Sequence, residues 1–254
     1  MKNVLKTIGY WLSLPFVLLI TLLKLLSAKR KAKKYKKDPN SIFAEDRLKT
    51  AYKLFNKFFY IKRVEFVAEG FENLPTKQML FIANHKDVLD PMVLFNALSE
   101  KGKLGEMSFI AKYELSKHWY TRSVINLIDG IFIKRDDGRS IYDCYLKQTE
   151  NIKKGFSIAV FPEGTRVPGD SFKQFQPATL KVAFENFIAI APIVIYGADK
   201  KRKTFQKKKV YITALKPVQP NNFINIKQEQ LMASLQNSIE EKYNELKQLH
   251  EEGK

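Results

Sequence analysis

Short apolar runs of strand length recur along this chain, and segments with helical spacing of apolar residues separate most of them. The strand-like runs are 64–68, 79–83, 107–110, 131–134, 157–161, 188–196 and 210–214. Helical spacing occurs at 46–60, 91–98, 140–153, 178–185 and, with an amphipathic pattern, at 228–250. Strands that alternate with helices predict an α/β architecture in which helices flank a mostly buried, mixed or parallel sheet. With 254 residues, of which 45% are hydrophobic, we expect one such domain and not two.

An apolar stretch followed by a basic block precedes this domain. Residues 8–26 are almost entirely apolar, and Lys or Arg occupies every position of 29–37 except two. This order is typical of a segment held at an anionic membrane face, where each basic residue contributes about 1 kcal/mol. As a helix, the uninterrupted part before Lys24 is about 24 Å long, which is shorter than the roughly 30 Å hydrocarbon core. The sequence therefore leaves open whether the stretch spans the bilayer or lies in one leaflet.

A secretory signal peptide is the alternative for this segment, because Lys2 and Lys6 precede the apolar stretch. The tripeptide Leu26-Ser27-Ala28 is a poor cleavage site, however, and the basic block after it resists translocation. We therefore predict a retained membrane anchor with a polybasic flank at 1–37 and a catalytic unit at 38–254. The basic block predicts that this unit lies on the cytoplasmic face of the cell membrane.

The formal net charge of +18 attracts anionic partners of several kinds. No helix-turn-helix, aromatic RNA-binding signature or zinc module accompanies the charge, so we expect no nucleic-acid partner. One cysteine, Cys144, and three histidines lack any recognised ligand spacing, so we expect no metal site. The sequence also lacks the glycine-rich loops that bind nucleotides and the closing glycine of a serine-hydrolase nucleophile elbow. A serine hydrolase is therefore disfavoured.

His85 directly follows the strand-like run 79–83 and Asn84, and Asp90 lies five residues after it. On one continuous helix, residues five apart point about 140° away from each other, so the two side chains can pair only across a turn. Asp90-Pro91 predicts that turn, as a helix N-cap followed by Pro at the first helical position. A His oriented by a carboxylate can act as a general base near neutral pH. From spacing alone, the alternative that Asp90 only caps a helix stays open.

Two further strand-like runs each end in a cation. Gly130-Ile-Phe-Ile-Lys-Arg135 ends in Arg135, and Phe161-Pro-Glu-Gly-Thr-Arg166 forms a tight turn that ends in Arg166. The planar fork of Arg matches phosphate with two hydrogen bonds, so arginines at neighbouring strand ends predict a phosphate clamp. The alternative for each run alone is a core strand with a charged end.

Four blocks of this sequence resemble, in order, those of the glycerolipid acyltransferases of the 1-acylglycerol-3-phosphate acyltransferase type. The blocks are Asn84-His85-x4-Asp90, Gly130-Ile-Phe-Ile-Lys-Arg135, Phe161-Pro-Glu-Gly-Thr-Arg166 and Ala191-Pro-Ile-Val194. The resemblance implies that His85 is the base and that Asp90 orients it. It also implies an acceptor site, in which Arg135 and Arg166 hold the phosphate and Lys112 adds a further phosphate contact. The residues of this site are Lys112, Arg135, Glu163, Gly164, Thr165 and Arg166.

The resemblance further implies transfer of a fatty acyl group from a thioester of acyl carrier protein or coenzyme A. The acceptor would be the free hydroxyl of 1-acylglycerol 3-phosphate, and the product would be phosphatidate for phospholipid biosynthesis. A thioester is already activated, so we expect no cofactor beyond this co-substrate, and membrane lipids are the other expected partners. Another acceptor, such as glycerol 3-phosphate or another lysophospholipid, stays open, as does hydrolysis of a thioester or lipid. A membrane lipid-binding scaffold is the alternative outside the enzymes.

Two departures from the family pattern concern the later blocks. Phe175-Gln-Pro-Ala-Thr179 lacks the Lys and the Gly that the family often has there, and Ile195 stands where a second Pro is common. These departures leave the expected chemistry unchanged. They leave the acceptor head group and the preferred acyl chain open.

Overall fold

The strands of the protein form one mixed sheet, as a computed structural model of residues 2–201 and 206–252 establishes. They are β1 (Val64–Glu69), β2 (Met79–Ala83), β3 (Met107–Lys112), β4 (Ile131–Ile133), β5 (Ser157–Val160), β6 (Ala189–Tyr196) and β7 (Lys208–Ala214). Their order across the sheet is β1-β7-β6-β2-β5-β3-β4. The five strands from β6 to β4 are parallel, whereas β7 is antiparallel to β6 and parallel to β1. Each predicted strand is confirmed, with differences only at its ends.

Helices connect most of these strands. They are α1 (Lys2–Lys37), α2 (Ala44–Lys62), α3 (Asp90–Glu100), α4 (Trp119–Leu127), α5 (Gly138–Lys153), α6 (Lys181–Asn186) and α7 (Gln228–Lys247). The segment predicted at 178–185 begins as a 3₁₀ turn, Pro177–Leu180, and continues as α6. A π-helical turn, Gln248–Glu252, extends α7. The sequence did not predict α4, because a helix of 9 residues is too short to show a clear apolar period and depends on tertiary packing.

The sheet separates two hydrophobic cores. Helices α2 and α3 pack on one face, and α5, α6 and α7 pack on the other. Along β2, Met79, Phe81 and Ala83 belong to the first core, while Leu80 and Ile82 belong to the second. Since successive strand residues point to opposite faces, one central strand contributes to both cores. The buried α/β layer that the apolar runs predicted is confirmed.

Helix α1 packs against the domain along much of its length. Near its start, Tyr10 Oη donates to the Ile61 carbonyl at the end of α2, at 2.8 Å. Near its end, Lys31 Nζ donates to Thr50 Oγ1 in the first half of α2, at 2.9 Å. The two helices are therefore antiparallel. A small apolar cluster also joins α1 to α2 and α4 through Ala28, Ala32, Leu54 and Leu127.

The outward face of α1 is apolar and exposed. It carries Ile8, Trp11, Leu12, Phe16, Leu19 and Leu23. The helix continues through Pro15 without a break and, at 36 residues, is about 54 Å long. By length and composition, Thr7–Lys37 could cross a membrane. The division into an anchor at 1–37 and a second unit at 38–254 stays a prediction, and residues 1 and 253–254 at its limits lie outside the described residues.

The parallel strands end at one edge of the sheet, where crevices of open α/β sheets form sites. Strand β2 lies between β5 and β6. The segment after β2, which contains His85, and the segment after β5, which contains Glu163 and Arg166, are therefore adjacent.

Candidate active site

His85 and Asp90 form a hydrogen-bonded pair in the loop between β2 and α3. His85 Nδ1 lies 2.9 Å from Asp90 Oδ2. The Asp90 side chain is fully buried, whereas that of His85 is 16% exposed. With the ionised carboxylate as acceptor, Nδ1 carries the ring proton and Nε2 keeps a free lone pair. A partly exposed imidazole held in this tautomer can act as a general base.

The carboxylate of Asp90 also closes the loop on itself. Oδ2 accepts the backbone N–H groups of Lys86 at 2.6 Å and of Asp87 at 2.8 Å. The predicted N-cap role is therefore wrong in detail, because Leu89 occupies the cap position and Asp90 is the first residue of α3. Its carboxylate binds N–H groups of the preceding loop and not those of the helix. Burial raises the pKa of the Asp90 carboxyl, and the bonds from His85 and the two N–H groups oppose that rise.

The segment after β5 forms hydrogen bonds with both the N–H and the carbonyl of His85. The His85 N–H donates to Glu163 Oε1 at 2.7 Å, and the Val167 N–H donates to the His85 carbonyl at 2.8 Å. The Phe161 ring lies against the imidazole, with centroids 4.4 Å apart. Glu163 is fully buried, and its Oε2 accepts the Lys173 N–H at 3.2 Å. Glu163 thus acts on the site through the backbone of His85, and its direct part in acceptor binding stays a prediction.

Asn84 fixes the end of β2 to β6. Its Nδ2 donates to the Ile195 carbonyl, and its Oδ1 accepts the Ile195 N–H, both at 2.8 Å. The last backbone pair between these strands joins Ala83 and Ile193. The side-chain amide therefore replaces the backbone as the partner of β6 and lets the chain turn away before His85. Ile195 supplies an N–H that a proline at this position would lack, so the departure from the family pattern has a structural use here.

Lys86 directly follows His85 in the loop after β2, and it is buried, with 1% of it exposed. Its Nζ donates to the Ser171 carbonyl and lies 3.7 Å from the centre of the Phe172 ring. Tyr243 of α7 covers a second side at 5.2 Å. Burial lowers the pKa of this ammonium, and the surrounding carboxylates oppose the change.

The predicted phosphate ligands lie on the same edge of the sheet but are spread across it. Arg135 and Arg166 follow β4 and β5, between which β3 intervenes. The prediction that they lie at neighbouring strand ends is therefore wrong, and their strands are about 10 Å apart. Both side chains belong to exposed residues. Lys112, at the end of β3, pairs with Glu114 at 3.3 Å.

Gly164 shapes the turn that presents Arg166. Its φ of 70° lies in the left-handed region, which glycine adopts without strain, and its N–H donates to the Phe161 carbonyl at 3.1 Å. Thr165 and Arg166 are exposed directly after this turn. The predicted tight turn is confirmed, while the contacts of these residues with an acceptor stay predictions.

In the part of the chain that the structure describes, potential metal ligands do not cluster, and the cysteine is buried. Among residues 2–201 and 206–252, no cluster of three or more His, Cys, Asp or Glu side chains could hold a metal ion. Cys144 is buried, and burial raises the pKa of its thiol to about 11. This thiol is therefore protonated and inaccessible at neutral pH.

Three residues of the site were not predicted in these roles. Asn84 was part of a recognised block without an assigned function, and Phe161 looked like the end of a core strand. Lys86 resembled any other surface lysine in a basic chain. Its burial depends on Phe172 and Tyr243, which are distant in sequence, so no local pattern could have indicated it.

Comparison with known proteins finds a family model and several relatives that match much of the chain. The acyltransferase family model matches residues 65–196, which contain all four blocks. A probable 1-acyl-sn-glycerol-3-phosphate acyltransferase from Mycoplasma pneumoniae is 34% identical over 243 residues, with 91% of each chain covered. The corresponding protein from Mycoplasma genitalium is 33% identical, with 91% of this chain and 90% of the relative covered.

A solved structure has the same fold. The crystal structure of the 1-acyl-sn-glycerophosphate (LPA) acyltransferase PlsC from Thermotoga maritima matches with a TM-score of 0.65 and 24% identity. The match covers 97% of this chain and 96% of that chain. The long N-terminal helix and the sheet domain are therefore both part of a fold already seen in an experimental structure.

Proposed function

The chain belongs to the acyltransferase family, and from this premise we propose that it transfers a fatty acyl group from a thioester to the free hydroxyl of 1-acylglycerol 3-phosphate. The product is phosphatidate, a precursor of membrane phospholipids. The observation that carries the proposal is the His85–Asp90 hydrogen bond at the carboxyl edge of the sheet, beside the turn that presents Arg166.

In the proposed reaction, His85 is the general base and then the general acid. Nε2 removes the proton of the acceptor hydroxyl as its oxygen attacks the thioester carbonyl carbon. The carbon–sulfur bond then breaks, and the imidazolium returns the proton to the departing thiolate. Asp90 stabilises the imidazolium between these steps, since its carboxylate already holds Nδ1–H. A positioned base of this kind contributes about 10²- to 10⁴-fold to the rate.

The cations on this edge position the acceptor. Arg166 and Arg135, with Lys112 as a further contact, bind the phosphate of the acceptor at a distance from the reacting oxygen. Binding energy from this remote group places the hydroxyl beside His85 and lowers the entropic part of the barrier. The exposed guanidinium of Arg166 supports this role, because it follows the turn that holds the His85 backbone.

The acyl donor belongs to the thioesters of acyl carrier protein or coenzyme A. Both donors are anionic and suit a chain with a net charge of +18. A thioester needs no further activation, so the reaction as proposed uses no resident cofactor and no enzyme nucleophile.

We place the protein on the cytoplasmic face of the cell membrane, with α1 in one leaflet. Contacts at both ends of α1 support this arrangement: Ser13 Oγ lies 2.6 Å from Tyr60 Oη, and Arg47 stacks on the Tyr35 ring at 3.9 Å. A helix that crossed the bilayer would have to leave α2 at one end. Lying in the interface, α1 keeps these contacts and buries its exposed apolar face in lipid. The acceptor, which is itself a membrane lipid, then reaches the site from the same surface.

The test is product analysis with the purified protein in detergent. Labelled acyl thioester and 1-acylglycerol 3-phosphate are supplied to the wild type and to His85→Ala, and the lipids are separated. We expect labelled phosphatidate from the wild type and a loss of at least about 10²-fold in His85→Ala, because the general base is absent. Vesicle binding should be equal in both, since the substitution leaves the exposed apolar face of α1 unchanged.

Other products would lead to other conclusions. Free fatty acid in place of phosphatidate would indicate a hydrolase, in which water replaces the acceptor. Product formed only with glycerol 3-phosphate or another lysophospholipid would retain the acyl transfer and correct the acceptor. Full activity in His85→Ala would contradict the proposed mechanism.

A further inference from the structure

Lys86 is a buried cation that cannot reach a substrate. Its side chain is enclosed by the Phe172 ring, the Tyr243 ring and the Ser171 carbonyl. A lysine almost never gives up this much hydration unless other charges compensate for it. The aromatic faces compensate in part through cation–π attraction. The rest must come from negative charge nearby.

Two fully buried carboxylates supply part of that charge. Asp90 binds the Nδ1 of His85, and Glu163 binds its backbone N–H. Each is 0% exposed, and each interacts electrostatically with Lys86. The backbone N–H of Lys86 also donates to Asp90 Oδ2 at 2.6 Å, so Lys86 belongs to the same hydrogen-bonded loop as the His85–Asp90 pair.

Two further carboxylates interact electrostatically with Lys86, and of these Asp170 is already paired with other cations. Asp170 pairs with Lys200 at 3.0 Å and with Lys247 of α7 at 2.7 Å. Asp199, after β6, accepts the Gly169 N–H at 2.6 Å through Oδ2. Both carboxylates favour the charged form of Lys86, but neither touches His85.

We propose that Lys86 is the internal counter-ion of Asp90 and Glu163, and that its charge keeps His85 unprotonated and oriented when the pH falls. This proposal deepens the proposed function, on which it rests, by adding a positioning residue to the His85–Asp90 pair. With neutral His85, the group of Asp90, Glu163 and Lys86 carries a charge of −1. When His85 takes up the acceptor proton, the net charge of these three side chains and the imidazolium is zero.

The direction of the effect follows from Coulomb attraction. Burial raises the pKa of Glu163 as it does that of Asp90, and Lys86 opposes the rise in Glu163. Without the ammonium, protonation of the Asp90 carboxylate, of the Glu163 carboxylate or of the His85 imidazole becomes more favourable. During acidification, a protein without this ammonium would therefore lose the base form of the site at a higher pH than the wild type does.

The experiment compares Lys86→Met with Lys86→Arg. Methionine keeps the unbranched shape and can pack on the two rings, while arginine keeps the charge. We expect the acidic limb of the kcat/KM profile to move to higher pH in Lys86→Met by about half a unit or more, and to stay near the wild type in Lys86→Arg. His85 is one of three histidines, so its imidazole titration can also be followed by NMR, with assignment from His85→Ala. Its midpoint should move in the same direction.

The NMR titration separates this proposal from the proposed function, because it requires no turnover. If the wild type transferred no acyl group but the His85 midpoint still moved in Lys86→Met, the counter-ion role would stand alone. Activity that fell equally at every pH, with an unmoved midpoint, would reduce Lys86 to a packing residue. The same shift in Lys86→Arg would contradict a role for charge.

A double variant covers the case in which Lys86→Met does not fold. Lys86→Met with Glu163→Gln removes one positive and one negative charge together, and the Gln carbonyl can still accept the His85 N–H. We expect this protein to fold and its His85 midpoint to lie within a few tenths of a unit of the wild type, since the charge is balanced again. A midpoint displaced by half a unit or more, despite this balance, would overturn the proposal.

Discussion

The cations predicted to bind phosphate differ in how strongly neighbouring carboxylates already neutralise them. Lys112 forms an exposed ion pair with Glu114, and the same carboxylate acts on Arg135. Among the described residues, no carboxylate pairs with Arg166. A free guanidinium binds phosphate without first giving up another partner. Arg166 should therefore contribute more to acceptor binding than Lys112.

Replacement of Arg166 by Ala should raise the KM for the acceptor by roughly 10- to 100-fold, which corresponds to the loss of one charge-assisted hydrogen-bonding group. The kcat should change much less, because the chemistry at His85 is untouched. Steady-state kinetics with varied 1-acylglycerol 3-phosphate would measure both constants. Arg166→Lys should fall in between, since it keeps the charge without the planar fork, and Lys112→Ala is the matched control with a smaller effect. An unchanged acceptor KM in Arg166→Ala would contradict the clamp.

At the scale of elements, α1 and α2 form an antiparallel hairpin. The hydrogen bond from Tyr10 to Ile61 and the bond from Lys31 to Thr50 hold both halves of α1 to α2. The basic block is partly used inside this packing as well, because Lys29 lies over the Trp119 ring of α4 at 5.3 Å. The polybasic segment therefore contributes to the tertiary structure as well as to the surface charge.

Thiol labelling in sealed vesicles would distinguish an interfacial α1 from a spanning one. Gly9→Cys places a thiol near the start of α1, where an added side chain meets no atom within 4 Å, and Asn40→Cys places one between α1 and α2. We expect an impermeant maleimide to label both from the same side of the membrane. Native Cys144 is buried and should react only after denaturation, which supplies an internal control. Labelling of the two positions from opposite sides would show that α1 crosses the bilayer.

For the molecule as a whole, the second core connects the last helix to the catalytic loop. Helix α7 contributes Leu231, Leu235 and Ile239 to this core, and Tyr243 of the same helix covers Lys86. The active site thus depends on a segment more than a hundred residues away in sequence. Packing of α7 and integrity of the site should be lost together.

Ile239→Ala should lower the free energy of unfolding by roughly 2–5 kcal/mol, because the fully buried side chain leaves a cavity in a close-packed core. Thermal unfolding in detergent, with circular dichroism as the probe, would measure the change. Asn237→Ala on the exposed face of the same helix is the control and should stay within about 0.5 kcal/mol of the wild type. Equal stability of Ile239→Ala and the wild type would mean that α7 is not part of the cooperative core.

Local patterns in the sequence determined the strands and the longer helices, and they indicated His85, Asp90 and the arginines as candidate site residues. These features depend on residues that are close in the chain, so periodicity, turn chemistry and short blocks are enough to indicate them. The loop between β2 and α3 illustrates this, since Asp90 faces back toward His85 as its spacing predicted, although it is not the N-cap.

Only the tertiary structure decided the features that combine distant segments. The strand order placed β3 between the two arginine-bearing strands, and the packing of α2 and α4 held α1 against the domain. Burial of Lys86 required Phe172 and Tyr243, while the backbone of His85 required Glu163. The physical reason is that burial and electrostatic balance depend on which surfaces pack together. A local sequence pattern does not indicate which distant residues will pack against it.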